Sequence, residues 1–346
     1  MEVCSRQESR KVVMSYQGSI CGVTTERFTC KIPVSVGCPY NKCTFCVFYK
    51  HLEYRELPLE SIEAELIRIS EVGGKPERIM LGDGNPLWMP FDRLKQIIEM
   101  IERYLPSCTA IASDASIQAI ERKTDAELTW LADHGLRMLY VGIESGLDDV
   151  LEFIHKDHDN TQAREQIARL HKAGIDFSAH IMTGVAGAGR GIENARATAA
   201  LINELRPVHI CNFSIYVGSV TELGLYEEDG LFVQATPLEN LLEMRELVSL
   251  LDVPETELFF EGYFTTYIPK PEGKGAGARA KVIVNDAGEF VRKSRIARGD
   301  LRVKRDRILS DLDEHIASTT RFVEGSKPCA EQSADLESEL AGAIAL

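Results

Sequence analysis

Apolar positions along this chain recur with two alternating periods, one suited to short strands and one to helices. KIPVSV at 31–36 reads as a strand, and LESIEAELIRISEVG at 59–73 spaces its apolar residues three and four apart. The pairing then repeats. ERIMLG (77–82) precedes the amphipathic FDRLKQIIEMIERYL (91–105), and CTAIAS (108–113) precedes AELTWLADHG (126–135). LRMLYVGIES (136–145) precedes TQAREQIARLHKAG (161–174), and IDFSAHIMTG (175–184) precedes ENARATAALINEL (193–205). VHICNFSIYVG (208–218) leads to PLENLLEMRELVSLLD (237–252), which completes six strand–helix units. Such alternation predicts a parallel sheet covered by helices, built as an open doubly wound sheet or an incomplete barrel. In both architectures chemistry belongs at the C-terminal ends of the strands.

Beyond the last helix the pattern changes. AKVIVNDAGEFVRKS (280–294) reads as a β-hairpin turning at Asp286-Ala287-Gly288, and EGSKPCAEQSADLESELAGAIAL begins with turn-forming and polar residues. The expected organisation is an N-terminal extension (1–30), a core (31–252), a C-terminal capping segment (253–324) and a tail (325–346) that is mobile apart from a short helix.

Composition narrows the function. Apolar residues make up 44% and charged residues 27% of 346, as in ordinary globular chains. There is no run long enough to span a membrane, and MEVCSRQESRK lacks a secretory apolar stretch, so the expected location is the cytoplasm, without membrane association. Thiols stay reduced there, and clustered cysteines then signal metal or catalysis rather than disulfides. The net charge of −14 argues against general nucleic-acid binding, although 279–307 carries ten Lys or Arg against four Asp or Glu.

The chemistry concentrates in GCPYNKCTFCVFYK (37–50), in the loop after the first strand, where Cys38, Cys43 and Cys46 fall within nine residues. Structural zinc wants four ligands, and no second cysteine pair is at hand, although His51 could complete a Cys₃His set. A redox pair at CTFC leaves Cys38 without a role. A cubane cluster on three thiolates uses all three and leaves one iron open to a small molecule.

On these residues the sequence resembles the radical S-adenosylmethionine (SAM) enzymes, across roughly residues 30–270, and within them the coproporphyrinogen-dehydrogenase and wobble-uridine-modifying branch. The family's spacing is Cys-x3-Cys-x2-Cys, whereas this chain has Cys-x4-Cys-x2-Cys. The resemblance implies a partial (β/α)6 TIM-like barrel, an α/β fold, with a small C-terminal extension containing the hairpin. It implies a [4Fe-4S] cluster on Cys38, Cys43 and Cys46, whose fourth iron is chelated by the amino and carboxylate groups of SAM. Gly82, Asp83 and Gly84 match the family's glycine-rich SAM-binding turn. In YVGIESG, Glu144 matches a SAM contact, and Lys156, twelve positions on, matches a basic residue that meets the SAM carboxylate. Ser113 and Asp114 fall where polar groups meet the ribose or methionine moiety, and His180 where the branch hydrogen-bonds the nucleoside. The backbone around Phe45 and Val217 would flank adenine. GVAGAGRG (184–191) resembles a phosphate cradle but lacks the P-loop Lys-Ser/Thr pair, and is read as a turn.

The implied activity is reductive cleavage of SAM and hydrogen abstraction from a small-molecule substrate of specialised metabolism, with an external one-electron reductant such as flavodoxin or ferredoxin. Candidate substrate-facing residues are Tyr216 and, in EGYFTTYIPKPEGK, Tyr263, Tyr267 and Lys270. Aminocarboxypropyl transfer, tRNA modification and a non-enzymatic metal-binding role are the competing readings.

Overall fold

The computed structural model describes residues 26, 29–261, 283–284, 290–291 and 299–325. Tyr263, Tyr267 and Lys270, the turn at 286–288 and the tail at 326–346 lie outside the described residues. In chain order the elements are β1 (Cys30–Pro33), β2 (Ser35–Val36), β3 (Arg55–Glu56), α1 (Leu59–Glu71), β4 (Arg78–Gly82), α2 (Phe91–Tyr104) and β5 (Ala110–Ala115). Then come α3 (Ile117–Glu121), α4 (Asp125–Asp133), β6 (Leu136–Glu144), α5 (Asp148–Phe153), α6 (Asn160–Ala173), β7 (Asp176–Thr183) and α7 (Gly191–Leu205). The chain continues through β8 (His209–Ser214), α8 (Glu222–Glu228), α9 (Pro237–Leu250), β9 (Glu257–Glu261), β10 (Ile283–Val284), β11 (Phe290–Val291), β12 (Gly299–Asp300) and α10 (Leu301–Gly325).

Seven strands run parallel in the order β1-β4-β5-β6-β7-β8-β9, and β12 closes the far edge antiparallel to β9. This is the partial TIM-like barrel the sequence implied, extended by a seventh parallel strand. That strand is the short, acid-flanked ELFFE. It nevertheless pairs Leu258 with Ile210 and buries Leu258 completely. The first strand is also not continuous. After Pro33 the chain leaves the main sheet, and Ser35–Val36 pairs antiparallel with Arg55–Glu56, bracketing the cysteine loop. β10 and β11 pair antiparallel, as the hairpin reading expected.

Strand alternation sorts the residues into two layers. Ile79, Leu81, Ile111, Leu139, Val141, Phe177, Ala179, Ile181 and Ile210 face outward into the main core. There they meet the Leu94, Ile97, Ile98 and Ile101 stripe of α2 and the Ala163, Ile167 and Leu170 stripe of α6. α10, a helix the sequence reading did not predict, adds Leu301, Ile308 and Leu312 to that core. Capping boxes start α4 (Thr124 with Glu127), α6 (Asp159 with Gln162) and α9 (Thr236 with Glu239), and left-handed Gly174 ends α6.

Met80, Ala112, Met138 and Tyr140 form a separate inward cluster. Below it, buried Glu26 accepts hydrogen bonds from Arg78 at 2.9 Å and from the Tyr140 hydroxyl at 2.6 Å. Burial alone would raise the Glu26 pKa, but its bonds to Arg78, Thr29 and Tyr140 together hold it below the usual range. An ion pair therefore sits at the end of the barrel opposite the cysteines. Among the described residues, no helix is long and apolar enough to cross a membrane.

Candidate active site

The loop between β2 and β3 holds Cys38, Cys43 and Cys46 as free, partly buried thiols. It is pinned from several sides. Thr44 N–H donates to Ile154 O at 3.1 Å, beyond α5, and Thr44 O accepts from Leu223 N–H at 3.0 Å, in α8. The four-residue interval between Cys38 and Cys43 is shaped by two residues. Tyr40 donates its hydroxyl to His155 O at 2.8 Å. Asn41 adopts a left-handed backbone (φ 47°), which Asn tolerates better than most residues, and its side chain donates to Tyr49 O at 2.9 Å. The added residue is thus part of an anchored turn.

Burial pushes the Cys43 thiol up to about 12, with the Lys156 ammonium opposing, and it also raises Cys46. A metal bound here would displace the thiol protons.

The end of β4 packs directly on this loop. Gly84 has φ 74°, and a Cβ there would lie 2.0 Å from Gly37 O, so only glycine lets the two segments meet. The preceding Gly82–Asp83 peptide is cis. Buried Asp83 accepts from the Tyr49 hydroxyl and, at 2.7 Å, from Gly84 N–H, while its carbonyl accepts from Ser35 Oγ at 2.6 Å. Its carboxylate therefore organises the cysteine loop.

At the end of β6, Glu144 has a left-handed backbone (φ 63°) and Oε1 accepts from Lys156 Nζ at 2.9 Å. Both side chains are more than nine-tenths buried, and Glu144 Oε2 has no hydrogen-bond partner. Gly142 makes room for the pair, since a Cβ there would lie 2.3 Å from Glu144 Oε1 and 2.6 Å from Lys156 Nζ. Burial works against the Lys156 charge, but Glu144, Cys43 and Asp157 outweigh it and hold its pKa above the usual lysine range. Lys156 thus couples electrostatically to the cysteine loop as well as to Glu144.

Asp114 and His180 face the interior from β5 and β7. Asp114 is pushed up to about 8, first by burial and then by the Asp83 charge, against the pull of Lys31. His180 is pushed down to about 3 by burial and by Lys156, so its ring is neutral. It lies edge-on to Phe213, with centroids 5.2 Å apart, and its Nε2 lacks a partner. Ser113 points to the helix side with Ile111 and Ala115 and donates to Asp114 O at 3.0 Å, so it stands apart from this group. Phe45 and Val217 both pack on one apolar cluster beneath the mouth, which includes Val150, Leu151, Val185 and Ile215. Tyr216 is half-buried nearby, against Gly218. Two N–H groups of the 184–191 turn are taken by the protein's own carboxyl groups, Gly184 N–H donating to Glu243 and Gly189 N–H to Glu239, each at 2.8 Å.

Sequence reasoning missed Tyr40, Tyr49, Gly142, Ser145, Asn194 and Glu243. Tyr40 and Tyr49 stood inside GCPYNKCTFCVFYK and Gly142 and Ser145 inside YVGIESG, whereas Asn194 and Glu243 stood in no motif singled out.

Residues 32–196 match the family model of the Radical SAM superfamily. That stretch is a radical SAM domain, of the class of enzymes that bind a [4Fe-4S] cluster and SAM, and the donors described above fit both groups. The chain is similar to the heme chaperone HemW of Bacillus subtilis (strain 168), 27% identical over 221 residues, which cover 60% of this chain and 55% of that one. Its fold resembles that of coproporphyrinogen III oxidase (HemN) from Escherichia coli, a radical SAM enzyme. The TM-score is 0.52 at 13% identity, over 64% of this chain and 51% of the other. The chain thus spans about half the length of the relatives it matches.

Proposed function

We propose that this chain holds a [4Fe-4S] cluster on Cys38, Cys43 and Cys46 and cleaves SAM reductively to abstract hydrogen from a small molecule in the barrel mouth. The observation that carries this reading is the Glu144–Lys156 pair beside a three-thiol loop, with Glu144 Oε2 buried and unpartnered. A buried carboxylate oxygen without a donor is costly unless something supplies one, and an ammonium group does so. When bound, the reduced cluster and SAM supply one-electron cleavage of a sulfur–carbon bond, giving methionine and a 5′-deoxyadenosyl radical.

The protein's part is positioning and exclusion of water. Glu144 would take the SAM ammonium and Lys156 its carboxylate, and Phe45 and Val217 would offer an apolar seat for adenine. Neutral His180 would hydrogen-bond the nucleoside, and Asp114, a proton donor below about pH 8, would meet a hydroxyl of the ribose or substrate. The electron would come from an external one-electron reductant such as flavodoxin or ferredoxin. The substrate would be a small molecule of specialised metabolism, handled in the cytoplasm.

Anaerobic reconstitution should give about four irons per chain. Cys38→Ala, Cys43→Ala and Cys46→Ala should each abolish the cluster, while stoichiometric zinc without visible absorbance would sink the reading. Product analysis with SAM then decides the chemistry. 5′-Deoxyadenosine supports hydrogen abstraction, and methylthioadenosine marks aminocarboxypropyl transfer instead.

A further inference from the structure

We infer that Glu243, on α9, is a positioning residue that holds Glu144 in its binding geometry through Asn194 and Ser145. This rests on the reading of Glu144 as a SAM contact. Glu243 is 2% exposed and lies on the helix side of the sheet, yet its hydrogen bonds run to the loop after β7 and to α7. Oε2 accepts from Gly184 N–H at 2.8 Å, just after β7, and Oε1 accepts from Asn194 Nδ2 at 2.6 Å, on α7.

The direction of every bond in this chain follows from that carboxylate. Burial pushes the Glu243 pKa up to about 7, and with that group ionised Asn194 Nδ2 faces two groups that only accept, the Glu243 carboxylate and, at 3.3 Å, Met182 O. Its Oδ1 must therefore face the hydroxyls of Ser145, at 2.6 Å, and Thr198, at 3.3 Å, which donate to it. Each hydroxyl oxygen is then left to accept a backbone donor: Leu147 N–H on Ser145 Oγ at 3.0 Å, and Gly146 N–H on Thr198 Oγ1 at 2.9 Å. Those amides, of Gly146 and Leu147, follow Ser145 in the turn after Glu144.

The turn needs such support. Glu144 sits in a left-handed conformation unfavourable for a side chain of its kind, and Ser145 N–H bonds back to Ile143 O at 2.8 Å. Close packing adds to it, since a Cβ on Gly146 would lie 2.3 Å from the backbone of Ala197 in α7. The carboxylate of Glu243 thus orients a line of donors that ends on the Glu144 turn, from the opposite side of the sheet.

Glu243→Gln preserves shape and reverses one end of that line. The glutamine must turn its oxygen to Gly184 N–H, so its NH₂ meets the Asn194 NH₂. Flipping Asn194 relieves that clash only by setting Asn194 Oδ1 against Met182 O. Two readouts test the inference on folded protein. In the protein without cofactors, amide exchange at Gly146 and Leu147 should accelerate about ten-fold in Glu243→Gln, with other protected amides unchanged. In the reconstituted protein, the Kd for SAM should weaken about ten-fold at unchanged iron content. Ser145→Ala should act in the same direction, and the double variant should lose no more than the stronger single, because both cut one line. Glu246→Gln, half-buried on the same helix and paired with Arg196, is the control and should change neither readout.

Native exchange and a SAM Kd within two-fold of wild type in folded Glu243→Gln would overturn the inference. Should that variant not fold, Ser145→Ala decides in the same way. Glu144→Ala separates this inference from the reading beneath it. If Glu144→Ala loses SAM while Glu243→Gln and Ser145→Ala do not, the positioning role alone fails. If Glu144→Ala binds SAM normally, the site reading falls and the inference with it.

Discussion

The two sides of the barrel mouth are held in place by different means. On the β1–β4 side the cysteine loop is fitted by backbone against backbone, at Gly37 and Gly84, with no room for even a methyl group. On the β6–β7 side the geometry is set by buried charges and directed hydrogen bonds, from Lys156 through Glu144 to Glu243. The first side therefore resists change sterically and the second electrostatically. Cluster formation should depend on shape at one side, and SAM affinity on charge at the other.

The largest effect on that contrast should come from Lys156→Met. It leaves the Glu144 carboxylate buried without a counter-charge and should cost about 3 kcal/mol of stability. SAM affinity should fall further than iron content, as read by denaturant unfolding and by equilibrium binding on the same preparation. Gly84→Ala should do the reverse, lowering iron content by more than half in reconstitution. Its left-handed backbone alone costs about 1–2 kcal/mol for a residue with a Cβ, and the contact with Gly37 adds to that. Gly73→Ala is the matched comparison, because Gly73 has φ 78° with nothing within 4 Å, so it pays only the backbone cost and should keep full iron loading. Equal iron loss in the two alanine variants would break the steric half of the contrast.

A smaller effect tests the interior between the two sides. The folded-state pKa of Asp114, about 8, lies above its ordinary value of 3.8, so the folded state binds the extra proton between these values. Stability of the cofactor-free protein should fall as pH rises through that window, and Asp114→Asn should flatten the fall in chemical denaturation at several pH values. The smallest expected change is Tyr49→Phe, which removes one hydrogen bond to Asp83 and should cost about 1 kcal/mol with the cluster retained.

Much of this was legible in the sequence because it rests on local pattern. The alternating periods gave the parallel strands, and three cysteines in nine residues marked the loop that follows the first of them. Glu144 and Lys156 were legible through the resemblance of YVGIESG to the family motif, with Lys156 twelve positions on. Glu243 and Asn194 were not, since 49 residues separate them and neither lies in a motif. Asp83 shows a subtler limit. The GDG turn drew attention to the right place, but its tie to Tyr49 spans 34 residues, which no spacing rule reveals. β9 escaped for a related reason: a five-residue strand becomes visible only through its neighbour β8.

The most direct test of the central claim, that three thiolates leave one iron open for SAM beside Glu144, is electron paramagnetic resonance of the reduced, reconstituted protein. The prediction is a [4Fe-4S]⁺ signal that changes on addition of SAM in the wild type and responds weakly in Glu144→Gln. A cluster signal that SAM leaves unaltered in the wild type would contradict it.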